Sequence, residues 1–232
     1  MASVAHDTGK SLVAQAVDEV KKHIREAGLR VGDTLPGESY FAEKLGVSRA
    51  VMREAFGALA ALRLIDVANG RRAKVGALDG SVIADSLEHA LSTAQIHVSD
   101  VWDVRRTIEM RTAALAARNA TPVQAARIVA LAEAMGHEDQ PHGQTTEDDI
   151  DFHLAIAEAS GNALFNQIVV SFVPLMRISV PKAWQTRRTQ DEKSDILGRH
   201  RRLAWAIANR DPEEAERAMA AHFDEAIGSL LR

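Results

Sequence analysis

Three histidines and an aspartate stand at inward positions of segments that read as amphipathic helices. Asp149 and His153 lie four residues apart, so a helix projects both from one face, which Ile156, Ala157 and Ser160 continue. His200 falls between Ile196 and the stripe of Leu203, Ala204 and Ile207, and His222 falls among Ala218, Met219 and Phe223. Each imidazole alone fits an ordinary core histidine bonded to a carbonyl. Together, three imidazoles and a carboxylate fit the ligand set of one divalent ion inside a helical bundle. The chain has no cysteine, and a set of three nitrogens and one oxygen suits Zn²⁺, Ni²⁺, Mn²⁺ or Fe²⁺, with spare coordination positions for water or an oxygen ligand. Arg105 is a further inward charge, i+4 from Val101 and i−3 from Ile108. A buried guanidinium needs a partner, and its fork suits a carboxylate, supplied either by an internal Asp or Glu or by a ligand.

A second set of chemistry-bearing residues lies near the N-terminus. A short apolar segment carrying Phe41, Ala42 and Leu45 ends at Gly46, and Ser48 is placed to cap the next helix. That helix begins Ser48-Arg49-Ala50-Val51-Met52-Arg53, with an apolar stripe of Val51, Met52, Ala55, Leu59 and Leu62. Two short helices joined by Leu-Gly-Val-Ser have the grammar of a helix-turn-helix, whose second helix presents polar side chains at its N-terminal end to a major groove. Asn69-Gly70 between the β-prone runs 64–68 and 71–75 is a hairpin signal, since both central turn positions favour positive φ. Arg71, Arg72 and Lys74 lie at or just after its tip. A cation-tipped hairpin behind a recognition helix describes a winged helix.

The elements that must position these groups are helical. Of 232 residues, 46% are hydrophobic, 26% charged and only 4% aromatic, a balance that favours tight helix packing. Without cysteine there can be no disulfide, thiol catalysis or iron–sulfur cluster. No apolar run reaches the roughly 18 residues of a membrane span and no signal-like segment opens the chain, so a soluble cytoplasmic protein is expected, with no membrane partner. Residues 1–76 carry 12 Lys and Arg against 9 Asp and Glu, whereas 77–232 carry 16 against 23. That asymmetry suits a nucleic-acid module joined to a different body. The expected organisation is a winged helix-turn-helix over 1–76, a linker at 77–80, and an all-α bundle of about seven helices over 81–232. Those helices are placed at 81–96, from a cap at Ser99 or Asp100 to 119, from Thr121 to about 135, at 147–159, 162–180 and 191–209, and from Pro212. The polar segment 136–143 reads as a loop.

Residues 12–76 resemble the winged-helix domain of GntR-type bacterial transcription regulators. The resemblance rests on Leu35-Pro36-Gly37-Glu38, Leu45-Gly46-Val47-Ser48-Arg49, Val51-Met52-Arg53-Glu54-Ala55 and the hairpin. Two positions depart from that pattern. Ser39 stands where an Arg is frequent, and Arg72 where the wing commonly has a second Gly, so an Arg side chain in a narrow minor groove would replace close backbone approach. Residues 81–232 resemble the FCD ligand-binding domain of the FadR branch, through Asp149, Phe152-His153, Gly161-Asn162, His200 and His222.

The resemblance implies that Asp149, His153, His200 and His222 ligate a metal, most often zinc. It also implies that Arg105, with Asn162, meets the carboxylate of a small effector, and that Ser48, Arg49, Arg53, Gly70, Arg71 and Arg72 contact DNA. The expected function is a homodimeric, ligand-responsive regulator, a repressor in most members, on a near-palindromic operator. Two rivals stand beside it. One is a metal-responsive regulator with the ion as effector. The other is a metal-dependent enzyme, for which the spare carboxylates Asp151 and Glu158 point away from the ligand face.

Overall fold

A computed structural model describes residues 10–68, 70–135, 144–185 and 189–230, with the side chains of 226–230 left aside. The expected loop at 136–143, and Asn69 of the hairpin turn, lie outside the described residues. By internal contacts the chain divides into Met1–Val82 and Ile83–Arg232.

The first unit comprises α1 (Leu12–Glu26), α2 (Glu38–Leu45), α3 (Arg49–Ala61), β1 (Ile65–Asp66) and β2 (Lys74–Val75). Ser11 caps α1 by accepting from the Ala14 N–H. Helix α2 stops at Gly46, whose φ of 67° is cheap only for glycine, and the Val47 N–H reaches back to the Ala42 carbonyl. Ser48 Oγ then accepts from the Val51 N–H and opens α3. The core gathers Val20, Leu35, Phe41, Met52, Phe56 and Leu59. Phe56 belongs to it, whereas Leu62, expected in the α3 stripe, sits just past the helix end and is 48% exposed.

The hairpin is antiparallel with Ile65 opposite Val75 and Asp66 opposite Lys74, and Gly70 takes φ 70° at its tip. The segment between α1 and α2 adds to it, through a bridge of Thr34 with Lys74 and hydrogen bonds from Leu35 N–H to Ala73 O and from Val75 N–H to Asp33 O. Gly76 closes the wing by donating to Leu64 O, and a Cβ there would collide with the Arg63 carbonyl.

Among the described residues the second unit has eight helices: α4 (Ser81–Ser92), α5 (Val98–Asn119), α6 (Pro122–Ala134), α7 (Gln144–Ala159), α8 (Ala163–Ser171), α9 (Val173–Gln185), α10 (Gln190–Ala208) and α11 (Pro212–Leu230). The expected count of about seven falls one short because the helix anticipated at 162–180 is two, bent by 58° at Phe172. Pro174 fits the break: with no N–H to donate, it stands in the first turn of α9, where none is needed, although the same helix carries Pro181 in its interior. Helix α4 stops four residues before the expected Ile96. Its Leu87 and Leu91 pack on the core while Ile83, expected inward, is 43% exposed. Asp100 does not itself cap α5. Its carboxylate accepts from the His97 backbone N–H one turn earlier, and His97 is the cap residue.

Short, well-capped connections fix the long helices. Thr121 and Gln124 form a capping box at α6, and Thr189 and Glu192 form one at α10. Between α10 and α11, Arg210 adopts φ 57° and its guanidinium donates to the carbonyls of Arg118 and Ala120, satisfying the C-terminal end of α5. No single helix is long and apolar enough to cross a membrane.

Candidate metal and effector site in the helical unit

Four helices of the second unit each turn polar groups into the bundle. Helix α5 supplies Arg105 and Glu109, α7 supplies Asp149 and His153, and α10 and α11 supply His200 and His222. All six are buried, at 5% exposure or less. Asp149, His153, His200 and His222 each offer one ligand atom, and these atoms lie within 4.8 Å of one another. Opposite ligands in a shell of about 2.1 Å radius stand about 4.2 Å apart, so the four are near coordination spacing. The imidazole rings pack with centroids 4.6 Å apart for His200 and His222, and 5.1 Å for His153 and His222.

Hydrogen bonding fits a cation at this place. His200 Nδ1 lies 2.8 Å from the Ile196 carbonyl, which can only accept, so the proton sits on Nδ1. Its Nε2 then faces Asp149 Oδ1 at 3.0 Å, two acceptors that are at ease only with a positive charge between them. Among the described residues, His222 Nδ1 and both ring nitrogens of His153 are buried with no hydrogen bond, and only His153 Nδ1 has an ion-pair contact, to Glu109. Orphaned buried ring nitrogens of this kind are costly unless something occupies their lone pairs.

The protonation states suit ligation. Burial alone would raise the Asp149 carboxyl, but positive charge on the His200 side of it and around the neighbouring imidazoles holds it below the usual carboxylate range. Burial, followed by the His200 and His153 charges, pushes His222 well below the ordinary imidazole value, leaving it neutral at pH 7.

Arg105 has the internal partner that was one of its two expected options. Its Nε donates to Glu109 Oε1 at 2.8 Å, one turn along α5. The guanidinium packs against both Trp102 and Phe223, at 5.1 and 5.2 Å from the ring centroids, and the two rings themselves meet edge to face at 5.6 Å. Nη1 is nevertheless buried without a partner, as is Trp102 Nε1. Burial would raise the Glu109 carboxyl too, but the Arg105 charge and His153 outweigh it and keep it ionised. Arg105 and Trp102 line a cavity with Asp149, His153 and His222, walled on the other side by Val180, Ala183, Trp184 and Ile196. Its volume is about 10 Å³, room for about one water.

Asn162 does not join this group. It is exposed at the start of α8, where its side-chain oxygen accepts from the Leu164 and Phe165 N–H groups at 3.0 and 3.3 Å. Its Gly161-Asn162 pattern reads equally well as a helix start, which is the role it fills here. Glu109 was missed by sequence reasoning, although its i,i+4 spacing from Arg105 was the available signal.

In the N-terminal unit, Ser48, Arg49 and Arg53 are exposed along the first turns of α3, and Gly70, Arg71 and Arg72 are exposed at the wing. Neither Arg49 nor Arg53 has an ion-pair partner among the described residues. Exposed cations at a helix start and a hairpin tip are of the chemical type that meets phosphates and base edges.

Comparison with known proteins agrees with this division of labour. Residues 12–75 match the bacterial regulatory proteins of the gntR family, and 100–225 match the FCD domain. The chain is 30% identical to the HTH-type transcriptional regulator LutR of Bacillus subtilis, over 86% of this chain and 92% of that one. It is 29% identical to the Glc operon transcriptional activator of Escherichia coli, over 93% and 87%. Among solved structures, Streptococcus agalactiae GntR superposes with a TM-score of 0.66 at 26% identity, covering 94% of this chain and 99% of that one. These relatives are regulators, which sets the enzyme reading aside. The chain belongs to the GntR family of bacterial transcription regulators, in its FadR-type branch, with a DNA-binding helix-turn-helix and an effector-binding FCD domain.

Proposed function

We propose that the helical unit binds a small organic acid with the help of one divalent metal ion, and that binding changes the affinity of the winged helix for its operator. The observation that carries this reading is the convergence of two orphaned ring nitrogens, on His153 and His222, with an unpartnered Arg105 Nη1 around one buried cavity. Asp149, His153, His200 and His222 would hold the ion, with zinc first and nickel, manganese or iron suited to the same donors. A bound ion would supply a Lewis-acidic charge for a carboxylate or hydroxyl oxygen. Arg105 Nη1 would meet a second oxygen of the same acid.

In this reading the protein is a cytoplasmic homodimer. It acts as a repressor on a near-palindromic operator, read by Ser48, Arg49 and Arg53 of α3 and by Gly70, Arg71 and Arg72 of the wing. An acid can shift DNA affinity only through its differential affinity for the two states of the protein. The test is anisotropy of labelled DNA from the gene's own upstream region, with chelator-stripped and zinc-reloaded protein titrated against small mono-, di- and hydroxy-carboxylates. An acid that changes DNA affinity only with reloaded protein supports the reading, and one that acts equally on stripped protein contradicts it. The small cavity favours one second reading, with the ion itself as effector, and DNA affinity set by zinc alone would select it.

A further inference from the structure

We infer that Glu109 is a positioning residue shared by the two halves of this site, holding the metal ligand His153 in its ligating tautomer while it anchors Arg105. The inference rests on the metal reading above. Both residues it joins are buried, and so is Glu109, at 1% exposure each. One carboxylate oxygen accepts from Arg105 Nε at 2.8 Å, and the other is in direct contact with His153 Nδ1. An ionised carboxylate only accepts, so the His153 proton belongs on Nδ1 and the Nε2 lone pair is left free. Among the described residues Nε2 has neither a hydrogen bond nor an ion-pair contact, whereas Nδ1 has the Glu109 oxygen beside it. His200 is arranged the same way, with the Ile196 carbonyl fixing Nδ1 and Nε2 turned toward Asp149. Two of the three histidines therefore have their far nitrogen pinned by an acceptor, and in His153 that acceptor is a charge that also fixes the arginine. Such outer partners set ring orientation and tautomer, and their loss typically costs about 10- to 100-fold in metal affinity.

Glu109→Gln is the discriminating variant because it keeps shape and volume. A Gln can still accept from Arg105 with its oxygen, but its amide then donates toward His153 Nδ1, which favours the tautomer with the proton on Nε2, where the metal lone pair should be. Zinc affinity of the full chain, measured by competition with a chromophoric chelator, is expected to fall about 10- to 100-fold in Glu109→Gln. Unchanged zinc affinity in that variant overturns the inference, whereas a wild-type chain that binds no zinc overturns the metal reading itself. A second measurement needs no variant that might fail to fold. In metal-free wild-type protein at pH 8, ¹⁵N spectra of the imidazoles, with His153 assigned by its loss in His153→Gln, are expected to show a proton on His153 Nδ1. A bare Nδ1 overturns the inference.

Discussion

Arg105 and Arg106 are neighbours in the chain and opposites in physics. Arg105 is 1% exposed, clasped by Glu109 and packed against two aromatic rings. Arg106 is paired with Asp224 through two hydrogen bonds of 2.7 and 3.1 Å, with side chains 31% and 59% exposed. The same contrast separates the two units. In the first, the cations of interest are exposed and have no ion pair among the described residues. In the second, the charges of interest are buried and mutually satisfied except for a few atoms aimed at one cavity. Exposed charge is cheap to carry and easily rearranged, whereas buried charge is tolerated only in a fixed network. One unit is built to dock on a surface and the other to enclose a ligand.

The contrast is broken most directly at Arg105. Arg105→Ala leaves Glu109 ionised and buried without its main partner, and is expected to destabilise the helical unit by about 3–5 kcal/mol, measured by urea unfolding followed by tryptophan fluorescence. A loss comparable to that of a surface arginine would mean that the Arg105–Glu109 pair is not buried in solution. Metal removal comes next. Zinc at about a thousandfold excess over its Kd should stabilise by about 4 kcal/mol and raise the unfolding midpoint by on the order of 10 °C, and His222→Ala should abolish that rise.

Arg49→Ala and Arg53→Ala are expected to reverse the pattern. Each should cost about 1–3 kcal/mol of operator affinity while leaving stability within about 0.5 kcal/mol. Operator affinity itself should fall steeply with salt. Full affinity in both variants would remove α3 from the DNA interface.

The smallest effect is expected at the pair next door. Arg106→Ala should cost about 1 kcal/mol or less, because Asp224 is largely exposed. The Arg106 hydrogen bond holds the Asp224 carboxyl below its ordinary value in the folded chain. The pair's contribution is therefore present at neutral pH, above the unfolded value, and fades as pH falls through the lowered one. Stability difference between wild type and Arg106→Ala, followed from pH 7 into the acid range, should shrink toward zero. A difference that grows on acidification would contradict that assignment.

Much of this arrangement was legible before the fold was known, for identifiable reasons. Asp149 and His153 share a helix face by spacing alone, and the stripes around His200 and His222 mark those rings as inward. Ser48, the αL glycine at Gly46 and the hairpin signal at Gly70 are local codes, readable one turn at a time. Glu109 was harder to see because its role depends on packing α5 against α7, a contact between residues 44 apart in sequence that periodicity does not encode. The bridge of Thr34 to Lys74 escaped for the same reason: an isolated extended residue has no pattern of its own. At Phe172 the continuous helical pattern of 162–180 hid the break, since Pro174 reads equally well as a helix start or as an interruption. Asn162 is ambiguous in the other direction, a residue that caps α8 and whose amide chemistry is also that of a ligand.

Thermal unfolding is the most direct test of an enclosed metal–carboxylate site. Chelator-stripped and zinc-reloaded protein, each as wild type and Arg105→Lys, would be heated with and without a panel of small carboxylic acids. The predicted result is a midpoint raised by zinc in both proteins, with a further rise from an acid only in reloaded wild type. A midpoint indifferent to zinc, or an acid that stabilises stripped and reloaded protein equally, would contradict it.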